Sequence, residues 1–227
     1  MKRSTINTYI QEALTIFTEH HVHLPRWSDW SIDQWKENLS VCQEVLSTGL
    51  GWDITDFGSG NYDKRGLFLF TLRNGAPPDY AKPYAEKIMI INENQETPLH
   101  YHWEKQEDII NRAGGILVIE LYRVGVNDEL VSGDLTICID GIRTHVKAGE
   151  RVLLEPGQSI TMPRSVYHRF YALEGHGYVL AGEVSSINDD DGDNRFHERL
   201  GRFPEREEDE APFRLMIPDY DKFLNQE

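Results

Sequence analysis

Two periods of hydrophobic spacing divide the chain. Over residues 4–20 the apolar positions Ile6, Tyr9, Ile10, Ala13 and Phe17 recur at helical intervals, which predicts a helix with one buried stripe. A second helix is predicted from Ser31, which forms a capping-box pattern with Gln34. Ile32, Trp35, Leu39, Cys42, Val45 and Leu46 make its apolar face, and Gly49 and Gly51 are candidate C-cap residues. Beyond this point the period falls to two. Strand-like runs are read at 67–72, 84–92, 98–103, 107–112, 115–124, 134–139, 142–147, 150–154, 158–162, 165–173 and 177–187. Asn74-Gly75 is a turn signal, and Asp140-Gly141 between two alternating runs is a two-residue hairpin signal. Many short, evenly spaced strands predict a closed sandwich or barrel. The expected organisation is a mainly β single domain over 1–227, with N-terminal α-helices as decoration over 1–52 and a β-barrel core over 65–187. Asn188–Asn194 and Glu205–Pro212 read as acidic loops.

Composition narrows the partners. A formal net charge of −15 argues against nucleic acid and against an anionic membrane surface. No apolar run is long enough to span a bilayer. The two cysteines, Cys42 and Cys138, each sit inside an apolar pattern, so no disulfide framework is expected and a reducing cytoplasm is the simplest setting. A neutral, polar small molecule or a cation fits this chain better than a polyanion.

The run His100-Tyr101-His102-Trp103-Glu104-Lys105-Gln106-Glu107 carries the candidate chemistry. Histidines two apart on a strand project to one face, and a carboxylate follows after a short turn. His168 shares a strand face with Val166 and Phe170. Alone it would read as a core histidine; beside the upstream cluster it reads as the fourth ligand of a divalent metal. Three imidazoles and one carboxylate suit Mn²⁺, Fe²⁺, Co²⁺ or Ni²⁺ and can take Zn²⁺, while the lack of a thiolate argues against a closed structural zinc site. Four protein ligands on an ion that accepts six leave room for a bidentate substrate. Asp189–Asp193 fails as a calcium loop, because Asn194 and Leu200 stand where glycine and glutamate are required.

His100-x-His102, four residues, Glu107, six residues and Gly114 resemble the first cupin motif. Gly157, five residues, Pro163 and then His168 resemble the second. Asn94, Ser165 and Tyr171 depart from these patterns at positions where the family favours glycine, glycine and asparagine. Glu107–Gly115, Gly182–Asp190, Asp193-Asn194-Arg195-Phe196, Arg202-Phe203-Pro204-Glu205 and Glu207–Glu210 together resemble the cupin-type D-lyxose isomerases. That resemblance implies a jelly-roll-like barrel and interconversion of D-lyxose with D-xylulose and of D-mannose with D-fructose. It also implies a Mn²⁺-type centre and a homodimer.

Aldose–ketose isomerisation moves hydrogen between C1 and C2 and a proton between O1 and O2, which calls for a base and a cation or acid beside the metal. Glu183 is the first candidate base, since Val179, Ala181, Glu183 and Ser185 share one strand face. Lys105, two residues before Glu107, is the second acid–base candidate and shares the ligand face if the strand is already extended there. Lys87, Asp193, Arg195 and Arg214 are candidates for reading sugar hydroxyls. His20, His21, His23, His145, His176 and His197 lack partners at ligand spacing, and no phosphate-cradling glycine loop is present, which favours an unphosphorylated sugar. A hydride shift between C1 and C2 would need no base. An Fe²⁺ cupin dioxygenase and a non-catalytic sugar-binding cupin are the competing expectations, since a fold alone does not assign an activity.

Overall fold

The computed structural model describes residues 1–76, 80–190, 192–200 and 206–224. The Arg202–Glu205 motif therefore lies outside the described residues. Helix α1 (Arg3–Glu19) buries Ile6, Ile10, Ala13 and Phe17, the stripe read from the sequence. The predicted second helix is two short ones, α2 (Ile32–Glu37) and α3 (Gln43–Ser47). Its capping box is present: Gln34 N–H donates to Ser31 Oγ, and Ser31 N–H donates to Gln34 Oε1. The break follows from Asn38, whose side-chain amide donates to Gln34 O and ends the helix. Trp35 and Cys42 stay buried on either side of the break, so the apolar pattern survives the loss of helical continuity.

The described residues hold the strands β1 (Gly51–Thr55), β2 (Leu67–Arg73), β3 (Ala85–Ile91), β4 (Thr97–Tyr101), β5 (Glu107–Gly114), β6 (Leu117–Val124), β7 (Leu130–Val131), β8 (Asp134–Ile139), β9 (Ile142–Lys147), β10 (Arg151–Leu154), β11 (Ser159–Met162), β12 (Val166–Ala172), β13 (Val179–Ser185) and β14 (Arg195–Phe196). Helix α4 (Tyr220–Leu224) follows. One antiparallel sheet runs β1-β2-β3-β13-β5-β11-β8-β9, and the second runs β10-β6-β12-β4-β14 with β7 on β6. The two curl around a shared core that includes Leu69, Met89, Ile109, Ile119, Leu121, Ile160, Met162 and Phe170. This is the mainly β, cupin-like architecture expected. At the β8–β9 hairpin Asp140 and Gly141 both take positive φ, the geometry a two-residue turn needs.

Three differences from expectation matter. The barrel strands begin at Gly51 rather than near 65, because Gly51 opens β1 instead of capping a helix. A side chain there would collide with the Tyr220 hydroxyl, which donates to Leu50 O. A short strand, β14, lies beyond residue 187 and pairs with β4. Asn94 and Ser165, at positions where cupin motifs favour glycine, both adopt left-handed φ near +56°, so the turns keep their shape without it.

Strands β1, β2, β3 and β13 are buried on both faces. Trp52, Ile54, Phe68, Phe70, Ile88, Ile90 and Leu180 face outward and receive the α1 stripe. Asp53, Leu69, Lys87, Met89 and Glu183 face the interior cavity. The helix is tied down by fully buried Arg3, whose guanidinium donates to both oxygens of Asp219 (2.9 and 2.8 Å) and both of Glu208 (2.8 and 2.9 Å). The hydrogen bond from Arg3 pulls the Glu208 carboxyl down to about 2; partial burial opposes this and Lys222 assists. Against an ordinary value of 4.5, ionised Glu208 stabilises the fold fully above that pH, and the contribution fades as pH falls towards about 2. Glu208→Gln should therefore be less stable than the parent at neutral pH, with the gap closing across that acid window in denaturant titrations.

Candidate active site and metal centre

His100 and His168 face each other across the β4–β12 pair, and His102 follows just past the end of β4. One nitrogen of each of the three imidazoles lies within 4.8 Å of the others. Every ring has its Nδ1 on a backbone carbonyl: His100 on Pro98 O (2.7 Å), His102 on Asp193 O (2.7 Å) and His168 on Val166 O (3.1 Å). A carbonyl can only accept, so each Nδ1 carries the proton and each Nε2 presents a lone pair inward. Burial, then the neighbouring imidazoles of His168 and His102, keep His100 well below its usual pKa. Glu107 opens β5 and brings Oε1 to 3.0 Å from His168 Nε2 and 3.6 Å from His102 Nε2. These three atoms are buried without a hydrogen-bond partner.

Unpartnered lone pairs converging in a buried site are costly unless something electron-poor sits between them. A divalent cation fits that description. His100, His102, Glu107 and His168 are the residues that could hold one, with the nitrogen–oxygen donor set of a borderline ion.

Lys105 and Glu183 stand beside this cluster. Lys105 Nζ is 2.7 Å from Glu107 Oε2 and 3.1 Å from Glu183 Oε1. Burial works against the ammonium, but Glu107 and Glu183 outweigh it and hold Lys105 well above the ordinary lysine range. Burial also opposes the Glu107 carboxylate, and Lys105 with His102 overcomes it, leaving Glu107 well below its usual value. Glu183 sits on the interior face of β13, opposite Lys87 on β3. Lys87 Nζ lies 3.5 Å from Glu183 Oε1 and donates to Asn188 Oδ1 at 2.5 Å. These groups line one cavity of about 270 Å³, close to the small end of the range for ligand pockets. Phe57, Leu67, Leu69, Met89, Ile109, Phe170 and Phe196 give it apolar walls, and Asp53, Thr55, Thr97, Asp190 and Asn194 add polar points.

The structure brings all four metal candidates together with Lys105, Glu183 and Lys87. The three remaining sugar-reading candidates are elsewhere. Asp193 spends its carboxylate on the backbone N–H groups of Trp103, Glu104 and Lys105 (2.8, 2.9 and 2.7 Å). It also supplies the carbonyl that orients His102, so it builds the site without lining it. Arg195 Nε donates to Asp128 Oδ2 at 2.9 Å, away from the cavity. Arg214 pairs with Asp29 and lies over the Phe213 ring, 4.1 Å from its centre. Lys105 reaches the site from a turn rather than an extended strand, fixed there by its own N–H on Asp193. Asp53 and Thr55 also line the cavity, from a strand that a helix end at Gly51 would not allow; the alternation Trp52-Asp53-Ile54-Thr55 is the signal in the sequence that marks it.

The chain resembles known proteins throughout its length. The D-lyxose isomerase family model matches residues 1–220. The D-lyxose/D-mannose isomerase of Serratia proteamaculans is 46% identical, covering 99% of this chain and 100% of that protein. The protein of the same description from Escherichia coli O157:H7 is 45% identical, covering 98% and 100%. Among solved structures, L-ribose isomerase of Cellulomonas parahominis superposes with a TM-score of 0.59 at 14% identity, covering 89% of this chain and 98% of that one. L-ribose isomerase of Acinetobacter sp. DL28, solved with L-ribose, gives 0.56 at 15% identity, covering 86% and 92%. At such identities these two matches speak for the fold alone. The family model and the two sequence relatives carry the assignment: this chain belongs to the D-lyxose isomerase family.

Proposed function

We propose that this protein is a metal-dependent aldose–ketose isomerase that interconverts D-lyxose with D-xylulose, and D-mannose with D-fructose, by proton transfer through a cis-enediol. The observation that carries the reading is the buried convergence of unpartnered His102 Nε2, His168 Nε2 and Glu107 Oε1 beside the Lys105–Glu183 pair on a single small cavity. Mn²⁺ is the ion proposed, and the enzyme is read as a cytoplasmic homodimer. Among the described residues no helix is long and apolar enough to cross a membrane.

His100, His102, Glu107 and His168 would hold the divalent ion, which would supply Lewis acidity toward a sugar carbonyl and its adjoining C–H and O–H. The protein's own groups then manage the protons. Glu183 is the base that takes the hydrogen from C2 of the aldose and returns it to C1. Lys105, kept charged by its two carboxylates, steadies the developing oxyanion and passes a proton between O2 and O1. Lys87 holds Glu183 from the strand alongside. The aromatic and aliphatic walls limit the water around the enediol and protect it from side reactions, while the carboxyl of Glu183 can still exchange its proton before returning one to C1.

The direct test is an anaerobic assay of protein reconstituted with Mn²⁺, Co²⁺ or Ni²⁺, following D-xylulose formation from D-lyxose. Ketose should appear without oxygen, and in D₂O deuterium should enter the product at carbon; ketose with none of the ions removes the isomerase reading. Glu183→Gln should abolish turnover while bound metal, measured by elemental analysis, stays at the parent level. Asp193→Asn places an amide donor against backbone donors and loosens the turn carrying Lys105. Turnover should drop about tenfold or more, with metal retained because the carbonyl that holds His102 is unchanged.

A further inference from the structure

Asn74-Gly75, a turn signal in the sequence, sits just past the end of β2 and meets the segment that leaves β13. Asn74 is buried, and its side-chain amide is fully engaged. Nδ2 donates to Thr48 O (3.2 Å) and Asn188 O (2.9 Å), while Oδ1 accepts from Gly75 N–H (3.0 Å) and Asn188 N–H (3.0 Å). Both donors and both lone pairs of the asparagine are used. Gly75 permits the close approach, because a side chain there would collide with the carbonyl of Lys82.

The two bonds to Asn188 imitate a strand pairing, in which one residue exchanges both its N–H and its carbonyl with a partner. The ladder between β13 and β3 ends at Ser185 and Ala85, short of Asn188. A side chain therefore holds the backbone where the ladder has run out. That backbone carries the acceptor for Lys87. Lys87 is buried on the cavity wall, with Asn188 Oδ1 at 2.5 Å, Glu183 Oε1 at 3.5 Å and Asp190 Oδ1 at 3.7 Å. The bond to Asn188 is the shortest of the three. A lysine ammonium is a point charge on a flexible stem, and with two carboxylates in reach its place has to be set by something else. Neither Asn74 nor Asn188 is part of the cavity wall.

We infer that Asn188, anchored by Asn74, is a positioning residue that fixes Lys87 against Glu183 and so acts on the reaction without touching the sugar. This rests on the isomerase reading above, in which Glu183 is the base.

The test is a double-mutant cycle on D-lyxose turnover by the Mn²⁺-loaded protein, built from Asn188→Ala and Lys87→Met. Asn188→Ala keeps the backbone bonds to Asn74 and removes the acceptor of Lys87. It should lower kcat about five- to tenfold, with bound metal and melting temperature near those of the parent. In the Lys87→Met background the same substitution should change kcat by less than about twofold. Asn74→Ala should lower kcat by a similar factor, again only where Lys87 is present, and should lower the melting temperature equally in both backgrounds. Where Asn74→Ala does not fold, Asn74→Asp, which keeps the acceptor for both N–H groups and loses both donors, takes its place. A parent-like kcat in Asn188→Ala, or equal losses of kcat with and without Lys87, would overturn the inference. A parent that forms no ketose with any ion removes the isomerase reading and this inference together, whereas an active parent with equal losses removes this inference alone.

Discussion

Everything at this site depends on three backbone carbonyls. Pro98, Val166 and Asp193 each accept the Nδ1 proton of an imidazole, and in doing so decide which nitrogen is left to bind. Two of these carbonyls lie two residues from the ring they orient, so the strand itself sets the tautomer. The third comes from a distant loop. His102 sits just beyond the end of β4, and the carbonyl of Asp193 does for its ring what a strand neighbour does for the other two. The same residue, Asp193, gathers three N–H groups of the turn that carries Lys105. A single loop residue thus couples the geometry of a candidate ligand, His102, to that of the proposed acid–base group, Lys105.

Charge inside the barrel is balanced in a similarly linked way. Glu107 offers one oxygen to the imidazole cluster and the other to Lys105, and Lys105 in turn reaches Glu183. Buried ions survive only with partners, so a change at one member of this chain of contacts falls first on its immediate neighbour. Lys87 extends the chain to Asn188, and Asn74 fixes Asn188 in return through its backbone N–H and carbonyl.

Much of this arrangement is legible in the sequence, and the parts that are not have physical reasons. His100, His102, Glu107 and His168 can be read because a metal demands particular donor types and strands impose a strict alternation. Glu183 follows from the same alternation on β13. Asp193, Arg195 and Arg214 look like equivalent polar candidates in one dimension. Their actual partners, the 103–105 turn, Asp128 and Asp29, are long-range contacts that no local pattern encodes. The break after Asn38 and the strand starting at Gly51 are local contests between propensity and packing, decided by a side-chain amide in one case and a neighbouring tyrosine in the other.

Strand β1 has a consequence for how the pocket can be tuned. Trp52 and Ile54 bear the load of the N-terminal helix, while Asp53 and Thr55, between them on the same backbone, form part of the cavity wall. A strand moves as a unit over so few residues, so any change of volume beneath α1 is transmitted through the sheet to the polar groups on its other side. Substrate preference can therefore drift through mutations in a layer that no sugar ever touches. For this barrel the outer helix is an adjusting screw, and Phe17, Trp52 and Phe68 are its thread.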